Sequence, residues 1–197
     1  MSEDCPTDAQ IIALSLDHPS EFGEIFKRHR VAIYKFAAKR VGPQDAEDVV
    51  SRVFEKAFSV RERYAVDRSN CLPWLYGIAV NVVGDHIRKQ RVAIYVYPID
   101  QVEGQVAGSD PSPEAEVLNA GLSDDLNEAL SRLPVTSRDA LLLHVLEEMS
   151  YVEISEALEV PIATVGSKIH RAKRKLVTLL GEITNPGSDS QEEEVGY

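Results

Sequence analysis

The sequence predicts an all-α protein of two small helical domains joined by a flexible acidic linker. Three observations predict it. Apolar residues recur at helical spacing in segment after segment, with few alternating β-branched runs. Residues 92–123 break that pattern with a stretch of Gly, Ser, Asp, Pro and Glu. Charge alternates along the chain, with basic modules separated by acidic connectors.

Taken in order, residues 8–16 form a short first helix. A second starts near Pro19–Ser20 and runs to Val41, with Phe22, Ile25, Phe26, Ile33, Phe36 and Ala37 at helical spacing, and Gly42–Pro43 ends it. A third runs from about Asp45 to Val60, its stripe being Val49, Val50, Val53, Phe54, Ala57 and Phe58. Residues 61–72 are charged and irregular. The fourth helix spans Pro73 to Gln90 and buries Leu75, Ile78, Ala79, Val82 and Ile87; Pro73 suits a first turn, where a missing N–H costs nothing. Together, residues 8–91 make the first domain.

The linker 92–123 reaches on the order of 100 Å when stretched and averages roughly 30 Å as a random coil. The second domain covers 124–180. Ser123–Asp124 caps a helix carrying Leu126, Ala129, Leu130 and Leu133, and Pro134 punctuates it. Residues 137–148 form the next helix. Ser150 caps a short one, Tyr151 to Leu158, with Glu153 three residues on as a capping box requires. Glu159–Val160–Pro161 breaks the chain before a long helix from about Thr164 to Leu180. The remainder, to residue 197, is acidic and predicted to be disordered.

The formal net charge is −11, which opposes nucleic-acid binding, since phosphate contacts need Lys and Arg. The distribution qualifies this. Residues 26–40 carry Lys27, Arg28, Arg30, Lys35, Lys39 and Arg40, and residues 164–180 carry five Lys or Arg and no acid. Such a chain should bind DNA poorly by itself and well with a partner's help. Cys5 and Cys71 lack ligand spacing, so no metal or cofactor is expected. With no phosphate loop, HExxH or nucleophile motif, no catalytic residue is expected either. No stretch approaches the ~18 apolar residues that span a membrane, and Met1–Gln10 has no basic n-region. Both predict a cytoplasmic protein without membrane insertion.

Helix, tight break, helix over 150–180 is the main local motif. Val165, Ile169, Ala172, Leu176 and Leu179 form one buried face of its second helix. Ser167, His170, Arg171 and Arg174 point away, flanked by Lys168, Lys173 and Lys175. A polar, cationic face after a short break is what major-groove reading needs. Arg pairs bidentately with guanine, and Lys holds phosphates.

Three segments carry a family resemblance: Asp45-Ala-Glu-Asp-Val-Val-Ser-Arg-Val-Phe54; Pro73-Trp-Leu-Tyr-Gly-Ile-Ala-Val-Asn81 followed by Asp85, Arg88 and Lys89; and the helix-turn-helix from Ser150 to Lys173. In this order, with a linker too short for a middle domain, they resemble bacterial RNA polymerase sigma factors of the extracytoplasmic-function (ECF) type. The resemblance implies a transcription initiation factor whose partners are core RNA polymerase, promoter DNA and an anti-sigma factor. It implies docking on polymerase through Asp45, Glu47, Asp48 and Phe54. It implies engagement of the −10 element by Arg61, Arg63, Tyr64, Arg68, Asn81, Arg88 and Lys89, with Tyr64 the stacking candidate; Trp74 reads as packing. It implies reading of the −35 element by Thr164, Ser167, Lys168, His170, Arg171 and Arg174.

The chain departs from the family pattern at three places. Ser51-Arg52 stands where Gln-Glu is usual, Val80 where Arg is common, and Gly166 where a basic residue is common. Gly inside a helix costs about 1 kcal/mol relative to Ala, which a close backbone approach to DNA would explain. The competing reading is a free-standing helix-turn-helix regulator, which predicts tight DNA binding without polymerase.

Overall fold

The structure is a computed structural model and describes residues 6–64, 70–90 and 124–184. Among these residues all regular structure is helical. The first module contains α1 (Asp8–Asp17), α2 (Phe22–Val41), α3 (Pro43–Val60) and α4 (Leu72–Gln90), with short 3₁₀ turns at Pro19–Glu21 and Arg61–Arg63. The second contains α5 (residues 124–131), α6 (Val135–Leu146), α7 (Tyr151–Leu158) and α8 (Ile162–Thr184). No helix among the described residues is long and apolar enough to cross a membrane.

Helices α2, α3 and α4 pack on one another, and α1 lies across α2. The predicted stripes meet in the centre: Ile25, Ile33 and Phe36 of α2, Val49, Val50 and Val53 of α3 and Leu75 of α4 are at most 1% exposed. Each such side chain contributes about 1.5–3 kcal/mol by leaving water. Thr7 and Gln10 fix the start of α1 in a capping box, at 3.3 and 2.8 Å. In the second module α6, α7 and α8 pack mutually. Leu130, Leu133, Leu143, Ile154, Val165 and Ile169 make its core.

Several boundaries differ from the expected ones, each for a local reason. Gly42 has φ 81°, a left-handed value that reverses the chain in one residue. Helix α3 therefore restarts at Pro43 rather than Asp45. Helix α6 begins directly after Pro134, whose carbonyl accepts from the Ser137 and Arg138 amides. It ends at Leu146 because Glu148 adopts φ 53°. Helix α8 starts at Ile162, right after Pro161, and continues to Thr184. The expected linker, most of the acidic tail and the predicted Ser123 cap lie outside the described residues.

The two modules are not held apart. Helix α4 of the first packs against α7 of the second. At their closest point a Cβ on Gly77 would lie 2.3 Å from the Ala157 carbonyl oxygen.

Candidate nucleic-acid interface

The helix-turn-helix is built from local chemistry upward. The Ser150 hydroxyl accepts from the Glu153 amide at 3.3 Å, while the Glu153 carboxylate accepts from the Ser150 amide at 2.8 Å. At the other end of α7, Glu159 takes left-handed angles, φ 52° and ψ 40°. The Val160 amide then closes on the Ser155 carbonyl at 3.1 Å, and the Ser155 hydroxyl donates to the Val160 carbonyl at 2.6 Å. This turn aims α8. Val165, Ile169 and Ala172 are buried, as the helical wheel predicts.

On the opposite side Ser167, His170, Arg171 and Arg174 are exposed, with Lys173 and Lys175 beside them. Thr164 and Lys168 are half-buried. Arg171 is laid back along its own helix: Nε donates to the Ser167 carbonyl at 3.1 Å and Nη2 to its hydroxyl at 3.3 Å. Gly166 faces α7 rather than the outer surface. A Cβ there would lie 3.3 Å from the Tyr151 ring. The two helices of the motif approach closely at this glycine.

The residues expected at −10 DNA divide into three groups. Arg63, Asn81, Arg88 and Lys89 are exposed. Asn81 donates to the Gly77 carbonyl at 3.0 Å, and Arg88 pairs with Asp85. Arg61 and Tyr64 are different. The Arg61 guanidinium lies 3.8 Å from the Phe58 ring centroid and donates to the Phe58 carbonyl at 2.6 Å and the Ser15 carbonyl at 3.4 Å. Tyr64 is 6% exposed and tilted against Trp74 at 5.1 Å. In this conformation its ring is part of the core and is closed to a stacked base, contrary to the sequence expectation. Arg68 lies outside the described residues.

The residues expected at polymerase also divide. Asp45, Glu47 and Asp48 lie along the first turns of α3 with substantial exposure. Each has an internal partner: His86 at 3.2 Å, Arg30 at 2.6 Å and Arg52 at 3.8 Å respectively. Arg52, one of the departures, thus pairs with Asp48 along the helix. Phe54 is 6% exposed and meets Phe26 edge to face at 4.9 Å. It belongs to the core, so only the carboxylates are presented outward.

Two clusters escaped the sequence reading. Lys39 and Arg40 counted there only among the cations of residues 26–40, and both are buried, meeting Glu147 at 3.7 and 3.4 Å. Tyr76 joins them, its hydroxyl 3.3 Å from the same carboxylate; burial pushes this phenol up, and the Glu147 charge adds to the shift. The only available signal was a Lys-Arg pair following the apolar run Phe36-Ala37-Ala38. The second cluster is Asp8, His29 and Cys71, whose polar atoms lie within 4.8 Å of one another. Asp8 accepts from the Cys71 amide at 3.0 Å, pairs with Arg28 at 3.2 Å and meets His29 Nε2 at 2.7 Å. Burial alone would raise its pKa, but hydrogen bonds from Cys71 and the charge and hydrogen bond of His29 outweigh burial and hold it below the usual carboxylate range. With a guanidinium beside it, the cluster serves as a tie joining α1, α2 and the start of α4.

Comparison with known proteins agrees with this layout. The family described as Sigma-70 region 2 matches residues 25–92, and that described as Sigma-70, region 4 matches residues 123–176. The chain is 30% identical over 191 residues to the ECF RNA polymerase sigma factor SigE of Mycolicibacterium smegmatis, covering 95% of this chain and 73% of the relative. It is 29% identical over 162 residues to the ECF RNA polymerase sigma factor SigW of Bacillus subtilis, covering 79% and 86%. The fold is similar to that of CnrH solved in complex with the cytosolic domain of CnrY, with a TM-score of 0.60, 24% identity and coverage of 88% of this chain and 97% of that one.

Proposed function

The chain belongs to the ECF sigma factors of RNA polymerase, and from that membership we propose how its residues divide the work of directing polymerase to promoters. The observation that carries the reading is the exposed cationic face of α8, free of acids over residues 164–180 and aimed by a capped turn. Thr164, Ser167, Lys168, His170, Arg171 and Arg174 read the −35 element from the major groove. His170, Arg171 and Arg174 meet base edges, and the flanking lysines hold phosphates.

Residues 8–91 bind core polymerase and the −10 element. Asp45, Glu47 and Asp48 supply the anionic docking face, each exchanging its internal partner for a cation on polymerase. Arg63, Arg68, Asn81, Arg88 and Lys89 hold single-stranded −10 DNA, whose backbone needs cations along its path. Arg61 and Tyr64 support that surface from beneath. The segment 92–123 tethers the two modules, and an anti-sigma factor is the expected regulator. CnrH, which shares this fold, was solved with its partner CnrY.

Run-off transcription from fragmented bacterial genomic DNA tests the reading. Discrete transcripts that require both core polymerase and this protein are expected. Specific duplex shifts by the protein alone, with no new transcripts, would instead support the free-standing regulator.

A further inference from the structure

Asp8, His29 and Cys71 come from three elements of the first module and bring their donor atoms together. Asp8 is in the first turn of α1, His29 is in α2, and Cys71 immediately precedes α4. An Asp8 carboxylate oxygen, one His29 ring nitrogen and the Cys71 Sγ all lie within 4.8 Å of one another. His29 Nε2 is 2.7 Å from Asp8 Oδ2, which also accepts from the Cys71 amide at 3.0 Å. The cluster is buried except at one edge. Asp8 is 6% and Cys71 0% exposed, while the His29 side chain keeps 14% and marks a path in from solvent. His29 and Cys71 stand 21 and 63 residues beyond Asp8 in the chain, so cysteine spacing could not reveal the set.

A thiolate, an imidazole and a carboxylate are the ligand types that zinc accepts, whereas calcium and magnesium take oxygen alone. Bond lengths of about 2.0–2.3 Å around a tetrahedral zinc space its donors roughly 3.3–3.6 Å apart. Asp8 Oδ2 and His29 Nε2 need to part by only about half an ångström to reach that spacing. The surroundings supply an outer shell. Arg28 Nη1 holds the other Asp8 oxygen, Oδ1, at 3.2 Å, which fixes the carboxylate with Oδ2 toward the cluster. Oδ2 has two lone pairs, so it can keep the Cys71 amide while it binds an ion. Charge also balances. A dication, the Asp8 carboxylate and the Cys71 thiolate sum to zero, and the Arg28 guanidinium is answered by Glu24, to which its Nε donates at 3.3 Å.

We propose that Asp8, His29 and Cys71 form a zinc site that joins α1, α2 and the start of α4, with a water from the His29 edge as fourth ligand. His29 binds through Nε2 as the neutral imidazole and exchanges its contact with Asp8 for the metal. Cys71 binds as the thiolate, and its proton leaves to solvent. Zinc uptake therefore releases a proton, and affinity rises with pH. Because three elements meet only in the folded chain, the ion binds the folded state and stabilises it. The site uses none of the residues assigned above to polymerase or promoter DNA, so it stands or falls apart from that reading.

Titration of the full chain with cobalt(II), a coloured substitute for zinc, tests it after treatment with a chelator, with far-UV circular dichroism as the check on folding. One equivalent should give a thiolate-to-cobalt charge-transfer band in the near ultraviolet and intense visible bands of tetrahedral type. One equivalent of zinc should remove them. Cys5→Ser should keep the thiolate band and Cys71→Ser should lose it, which assigns the sulfur. His29→Gln should weaken cobalt affinity at least about tenfold, the least that loss of even an outer-shell partner costs. Zinc alone should raise the thermal unfolding midpoint of wild type and leave that of His29→Gln where it is. A wild type without the thiolate band, or with a midpoint that zinc does not move, overturns the site. So does a band that Cys5→Ser removes, that a folded Cys71→Ser keeps, or that His29→Gln forms at full affinity. Should Cys71→Ser lose its helical signal, Cys5→Ser and His29→Gln decide by the same readouts.

Discussion

Gly166 of α8 lies beneath the Tyr151 ring of α7, with space for a Cβ only at 3.3 Å from Cε2. That distance is tight, and two effects compete there. Alanine would gain about 1 kcal/mol of helix propensity over glycine. It would also push on a ring that is 42% exposed and so has room to yield. Propensity should win. Gly166→Ala is expected to raise stability by up to about 1 kcal/mol in urea unfolding. A loss would mean that the ring is held more firmly than its exposure suggests.

Glu159 holds the turn of the helix-turn-helix in left-handed geometry, at φ 52°. A non-glycine residue there carries roughly 1 kcal/mol of steric cost. Glu159→Gly removes it, at some expense in unfolded-chain entropy. A net gain of about 0.5 kcal/mol in thermal or urea unfolding is expected. An unchanged or lower stability would show that the Glu159 side chain contributes more than its backbone strain costs.

Asp8 makes folding depend on acid. Its pKa is lower folded than unfolded, so its stabilisation is fully present above the unfolded value near 3.9 and is lost as pH falls through the lower folded value. Asp8→Asn should cost about 2 kcal/mol at neutral pH, because it removes the charge and turns one of two acceptor oxygens into an N–H that faces buried donors. The gap between wild type and variant should then narrow below about pH 4. Parallel denaturation curves from pH 7 to pH 3 measure it, and a gap independent of pH would show that the Asp8 charge is immaterial.

Arg171 is pre-ordered by Ser167 but fully accessible from outside the helix. Arg171→Ala should weaken initiation at −35-dependent promoters by about 1–3 kcal/mol, while polymerase association is unchanged. Abortive initiation on matched and scrambled −35 templates checks this. Equal losses on both would reduce Arg171 to a sequence-independent phosphate contact.

Much of this was legible without coordinates, and the reason lies in the spacing of residues. The stripe Val49-Val50-Val53-Phe54-Ala57 and the face Val165-Ile169-Ala172 each follow from 3.6 residues per turn. The Ser150–Glu153 box depends on groups three residues apart. The outward set Ser167, His170, Arg171 and Arg174 needs only a helical wheel. The docking and −10 sets were less legible. Phe54 and Tyr64 satisfy a family pattern and are also large and apolar, and burial decides which property is expressed.

The sequence by itself determined the helices, the Ser150–Glu153 cap, the order of two modules and the cationic face of α8, because these rest on neighbours within a turn or two. Only the tertiary structure decided that Lys39 and Arg40 are buried on Glu147, more than a hundred residues away in the chain. It also decided that Gly77 lies at a close approach of α4 to α7, that Gly166 lies against Tyr151, and that Asp8 ties α1 to Cys71. Each is a contact between surfaces that local periodicity leaves equally polar or equally small. Which of them are desolvated depends on what packs against them, and that is a property of the assembled fold.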